Sequence, residues 1–66
     1  MNIILNGDNK VISAPANILT LLDALSIEPR KMAVERNLEI VPKSAYSKTQ
    51  LNEGDRIEIV QFVGGG

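Results

Sequence analysis

The chain has 66 residues, which is room for one small domain and no second one. It carries no cysteine and no histidine, and this excludes disulfide staples, thiolate metal sites, a cysteine nucleophile and the side chain that titrates nearest neutrality. Seven basic residues against eight acidic ones give a net charge of -1 without a basic stripe, so no nucleic-acid partner and no metal site are expected.

Apolar residues make up 44% of the chain, enough for one compact core. No apolar run is long enough to span a membrane, and no basic segment followed by an apolar stretch opens the chain. The expectation is a cytoplasmic protein with no membrane association.

A first strand is predicted from Met1 to Asn6, with Ile3 and Leu5 on one face and Ile4 on the other. Asn6-Gly7-Asp8 supplies a tight reversal, because Asn and Gly tolerate the positive φ of hairpin turns. Lys10 to Ala14 is the returning strand, closed by Pro15. Between Asn17 and Ser26, Ile18, Leu21, Leu22 and Leu25 recur at i, i+3, i+4 and i+7, one stripe along a helix. Asn17 is its expected N-cap, and Pro29 its expected stop. Two short strands follow, Met32 to Arg36 and Leu38 to Val41, joined by a turn at Asn37. Lys43 to Gln50 is polar and turn-like, with Tyr46 as a packing lid over the core edge. Asn52-Glu53-Gly54-Asp55 reads as a turn rather than a cation site, since two carboxylates are too few ligands for calcium. The last strand runs from Arg56 to Phe62, with Ile57 and Ile59 on one face and Val60 and Phe62 on the other.

One helix with a broad apolar stripe has to cover one face of a single sheet, because two layers are the fewest that bury both. The fold class is therefore α+β: a ubiquitin-like β-grasp, with one mixed sheet of about five strands packed on one helix. The last strand is expected beside the first in the middle of the sheet. The expected core is Ile3, Leu5, Ile12, Ile18, Leu21, Leu22, Leu25, Val34, Ile57 and Ile59, with Leu51 and either Leu38 or Ile40 closing its edges. The domain takes residues 1–62, and residues 63–66 form a flexible glycine tail.

That tail, Gly64-Gly65-Gly66, has no Cβ atoms and can enter a channel too narrow for other residues. At its tip the Gly66 carboxyl group is unhindered. With no Cys or His the chain is poorly equipped to act as a nucleophile or general base, so no catalytic residue is assigned and the chain reads as a substrate of other enzymes. The uncovered face of the sheet gathers Ile4, Val60 and Phe62, bordered by Val11, as a partner-docking face.

Several segments carry a more specific signal: Met1-Asn2-Ile3-Ile4-Leu5-Asn6-Gly7, Ala33-Val34-Glu35-Arg36-Asn37, Ile40-Val41-Pro42-Lys43-Ser44, Leu51 to Val60 and Phe62-Val63-Gly64-Gly65-Gly66. In this order they resemble the ThiS family, sulfur carriers of thiamine biosynthesis, along essentially the whole chain. Tyr46 stands where that pattern leads one to expect tryptophan, and Phe62 where a small residue is usual.

The resemblance implies that a ThiF-type adenylating enzyme activates the Gly66 carboxylate with ATP, the chain itself binding no cofactor. Sulfur from a cysteine desulfurase system would then yield a thiocarboxylate, and thiazole synthase (ThiG) would take that sulfur. The alternatives are a molybdopterin-type carrier, a ubiquitin-like protein modifier using the same tail, and a non-covalent β-grasp binding module.

Overall fold

The computed structural model describes residues 1–61. Strand β1 (Asn2–Leu5) and strand β2 (Asp8–Val11) form an antiparallel hairpin. Its two turn residues, Asn6 and Gly7, both have positive φ, 48° and 86°, the backbone shape that suits the twist of the flanking strands. Because this turn uses only two residues, Leu5 pairs with Asp8 and Asn2 with Val11. The returning strand thus starts and ends earlier than the Lys10 to Ala14 span read from the sequence.

The helix α1 (Ile18–Ala24) begins where its cap was expected. Asn17 Oδ1 accepts the Thr20 backbone N–H at 2.8 Å, and Thr20 Oγ1 accepts the Asn17 N–H at 2.9 Å, a reciprocal capping box. Its far end differs from expectation. The helix stops at Ala24, well before Pro29, through a Schellman closure: Ser26 takes φ 58°, its N–H reaches the Asp23 carbonyl at 3.0 Å, and the Ile27 N–H reaches that of Leu22 at 2.9 Å. Serine here occupies the left-handed position usually given to glycine. Pro29 instead opens a short 3-10 segment, Pro29–Lys31, with Glu28 extended before it.

Strands β3 (Met32–Arg36) and β4 (Glu39–Val41) make a second hairpin, and β5 (Arg56–Gln61) lies between β1 and β3. The sheet order is β2-β1-β5-β3-β4, with β1 and β5 parallel and the other pairs antiparallel. The central placement of the last strand beside the first agrees with the sequence reading. The β3–β4 turn consists of Asn37 and Leu38, with φ 51° and 72°. Leu38 is therefore a turn residue, not the start of a strand. Leu38 and Ile40 are about three-quarters exposed, at 76% and 75%, and neither closes the core edge. Leu38 lies in the exposed turn, and strand alternation puts Ile40 on the open face beside Glu35.

α1 covers one face of the sheet. Ile3, Ile18, Leu21, Leu22, Val34, Leu51, Ile57 and Ile59 are buried, while Leu5, Ile12 and Leu25 pack against them half-buried. Two residues join that the expected core omitted, Ala16 and Tyr46. The polar Lys43–Lys48 stretch winds into a 3-10 segment that turns the Tyr46 ring inward, and its hydroxyl reaches the Met32 carbonyl at 3.3 Å. Burial pushes the Tyr46 phenol up from its ordinary range. Among the described residues no helix is long and apolar enough to cross a membrane.

Candidate docking face and tail root

The open face of the sheet is set by the same alternation that buries Ile57 and Ile59. Those two side chains point to α1, so Arg56, Glu58 and Val60 point away from it. Val60 is 59% exposed, a large apolar residue in the water-facing layer. On β1, Ile3 is buried and Ile4 takes the open side, half-buried.

Register decides which of these residues meet. Ile4 pairs with Arg56, and Val60 pairs with Ala33. Ile4 and Val60 thus share a face but sit four residues apart along β5, about 13 Å at 3.3 Å per residue. Exposed Val11 lies diagonally beside Ile4, since Val11 pairs with Asn2 and Ile4 with Asn9. Between the two apolar groups lies a polar row in which Glu58 faces Glu35 directly, with exposed Ile40 on the far side of Glu35. The sequence reading did not foresee this acidic pair or the outward Ile40. Alternation marks the face of each strand but not its alignment with the next. Phe62, Gly64, Gly65 and Gly66, the other expected site residues, lie outside the described residues.

Side chains hold β5 at its start and at Ile59. Where β1 turns away, Asn6 continues its ladder: the Asn6 N–H donates to the Ile57 carbonyl at 2.9 Å, and Asn6 Oδ1 accepts the Ile59 N–H at 2.8 Å. At the start of β5, Asp55 is buried at 6% exposure. Its carboxylate accepts from Arg36 Nε at 2.9 Å, Asn37 Nδ2 at 3.1 Å and the Asn52 N–H at 2.8 Å. Burial alone would raise its pKa, but the Asn52 N–H, the two side-chain donors and the Arg36 charge outweigh that, holding the carboxyl below the usual Asp range. Next to it, the Asn2 backbone N–H and side-chain amide hold the exposed Glu53 carboxyl down as well. These turn carboxylates are thus engaged within the fold. Among the described residues no three His, Cys, Asp or Glu side chains are placed to hold a metal ion.

A single helix on one face of a mixed five-stranded sheet, with β5 central and leading to three glycines, defines a ubiquitin-like β-grasp domain. Comparison with known proteins narrows this class. The ThiS family model matches residues 3–66. The "Thiazole synthase" of Paramagnetospirillum magneticum is 50% identical over all 66 residues, and that of Magnetococcus marinus 42%. The chain spans only a fifth of the length of these two relatives. The "Sulfur carrier protein ThiS" of Bacillus subtilis is 44% identical over 63 residues, covering 94% of this chain and 96% of that protein. Among solved structures, the crystal structure of the thiamine biosynthesis protein ThiS from Geobacter metallireducens superposes with a TM-score of 0.88 at 32% identity, each chain covered in full. The chain belongs to the ThiS family.

Proposed function

We propose that this protein is a sulfur carrier for thiamine biosynthesis, itself not an enzyme but the substrate of partner enzymes in the cytoplasm. The observation that carries this reading is the family match, which runs through the glycines to Gly66. The relatives named thiazole synthase support a working partnership with that enzyme.

In this reading a ThiF-type enzyme brings the Gly66 carboxylate to the α-phosphate of ATP. The new C–O–P linkage forms as pyrophosphate leaves, and the carboxyl carbon becomes electrophilic. A persulfide supplied by a cysteine desulfurase system then displaces AMP to give an acyl disulfide. A second thiol reduces its S–S bond, becoming a disulfide itself and leaving a thiocarboxylate on Gly66. Thiazole synthase takes up that sulfur, an oxygen from water or from the acceptor's carbonyl replaces it on the Gly66 carbon, and the carrier returns as a carboxylate. The carrier supplies shape: three residues without side chains enter a narrow channel, while Val60 and Ile4, with Phe62, give the enzymes a surface to hold. ATP belongs to the activating enzyme, and the carrier binds no cofactor of its own.

Growth without thiamine of a bacterial strain lacking its own sulfur carrier tests the reading. The full chain should restore growth, and the chain lacking Gly65 and Gly66 should not. Equal rescue by both would overturn it.

A further inference from the structure

β5 changes its standing along its length. The Asp55 and Ile57 carbonyls accept from Ile4 and Asn6, and the Ile59 N–H donates to the Asn6 side chain. Odd-numbered residues of β5 therefore direct their backbone groups toward β1. Glu58 and Val60 direct theirs toward β3, where they pair with Glu35 and Ala33. β1 pairs with β5 only at Arg56 and Ile57, and then the chain turns at Asn6 and Gly7. Among the described residues no strand lies beside β5 on this side past Ile57. Asn6 takes the Ile59 N–H, and the next groups in the row are the Ile59 carbonyl and the Gln61 N–H. Among the described residues, a strand that is central at its start is thus a free edge at its end, on the residues that lead to the tail.

A free strand edge offers a row of backbone donors and acceptors that an added strand satisfies. We propose that the Ile59–Gln61 edge of β5 is a strand-addition site, filled by an extended segment of the thiazole synthase that receives the tail. This rests on the sulfur-carrier reading and deepens it. Thiazole synthase is the occupant because relatives 50% and 42% identical carry this same region within one thiazole synthase polypeptide. Tethering of that kind raises the local concentration of the two parts in those relatives. Main-chain pairing on Gln61 also fixes the direction in which Gly66 is presented without calling on any particular tail side chain.

Gln61 is the position that isolates the contact. Its N–H points to the free side, so Gln61→Pro removes one donor from the added ladder and none from the β3 pairing. Gln61→Ala removes the side chain and keeps the donor. Both variants should melt within about 3 °C of the parent, since no native hydrogen bond of β5 is lost. Binding of each purified chain to separately expressed thiazole synthase is then measured by calorimetry, and exchange of the Gln61 amide by NMR. The expected result is at least tenfold weaker binding for Gln61→Pro, less than twofold change for Gln61→Ala, and at least tenfold slower exchange of the Gln61 amide in the parent complex. Parent-like binding by Gln61→Pro, or an unprotected Gln61 amide in the complex, overturns the strand-addition site while leaving the carrier reading standing. Failure of the parent chain itself to bind thiazole synthase overturns the partnership and this proposal with it.

Discussion

Arg36 Nε and Asp55 Oδ2 meet at 2.9 Å, joining the end of β3 to the turn that starts β5. The pair is lopsided: the Asp55 side chain is 8% exposed and that of Arg36 29%. The carboxylate is the desolvated partner, and its other oxygen accepts from Asn37 in the β3–β4 turn. One buried acid thereby fixes two turns and the entry of the central strand. Asp55→Ala leaves the Asn52 N–H and the Asn37 amide without their acceptor and should cost about 2–3 kcal/mol in urea unfolding. A loss below half a kcal/mol would mean water replaces the carboxylate at little cost.

The same carboxyl makes stability depend on pH, and the sign follows from its lowered pKa. The folded state holds the Asp55 proton less tightly than the unfolded chain, whose ordinary value is near 3.8. Its contribution is complete above that value and is lost as pH falls through the lower folded value. Melting temperature should therefore drop in acid more steeply for the parent than for Asp55→Ala, once both are scanned from about pH 6 to pH 2. Parallel curves would show that other carboxylates carry the acid sensitivity.

Leu38 holds φ 72° on a surface turn where it is 76% exposed, so it is in a left-handed conformation with little burial to offset the cost. Leu38→Gly, which makes an Asn-Gly turn of the kind already present at Asn6 and Gly7, should raise stability by about 0.5–1 kcal/mol. A fall in stability would show that the leucine side chain packs usefully in the folded state.

Ile57 is fully buried in the central strand between β1 and β3. Ile57→Ala should cost about 2–5 kcal/mol, a large share of what so small a domain has. Native-like chemical unfolding of that variant would place the core elsewhere.

Val60 lies on the open face, so Val60→Asp should shift stability by no more than about 1 kcal/mol. It should still weaken binding to thiazole synthase about tenfold, because the charge enters the surface beside the tail root. Unchanged binding would exclude the Val60 end of the face from the contact.

What the sequence made legible depended on residues whose chemistry names their conformation. Asn6-Gly7 announced a tight turn but not its two-residue length, Asn17 a helix start, and the alternation from Ile57 to Val60 which side of β5 faces the helix. Leu38 and Ser26 gave no such notice, since neither type favours the left-handed backbone each adopts. The Asp55 cluster was hidden for another reason. Its Arg36 and Asn37 donors lie 19 and 18 residues away and meet it only through the β3–β5 pairing. The same limit applied to the docking face: side-chain alternation placed Ile4 and Val60 on one side, and only the register showed the acidic pair between them. The segment from Ala33 to Asn37 carried the family resemblance well before its role in holding β5 was visible.

The most direct test of the carrier account is the intact mass of the full chain after incubation with an active ThiF-type enzyme, ATP and a sulfur source. The account expects one sulfur to replace one oxygen, located by fragmentation on the peptide ending at Gly66, and no such change when ATP is omitted. An unchanged mass, with the enzyme shown to activate its own carrier in the same mixture, would contradict it.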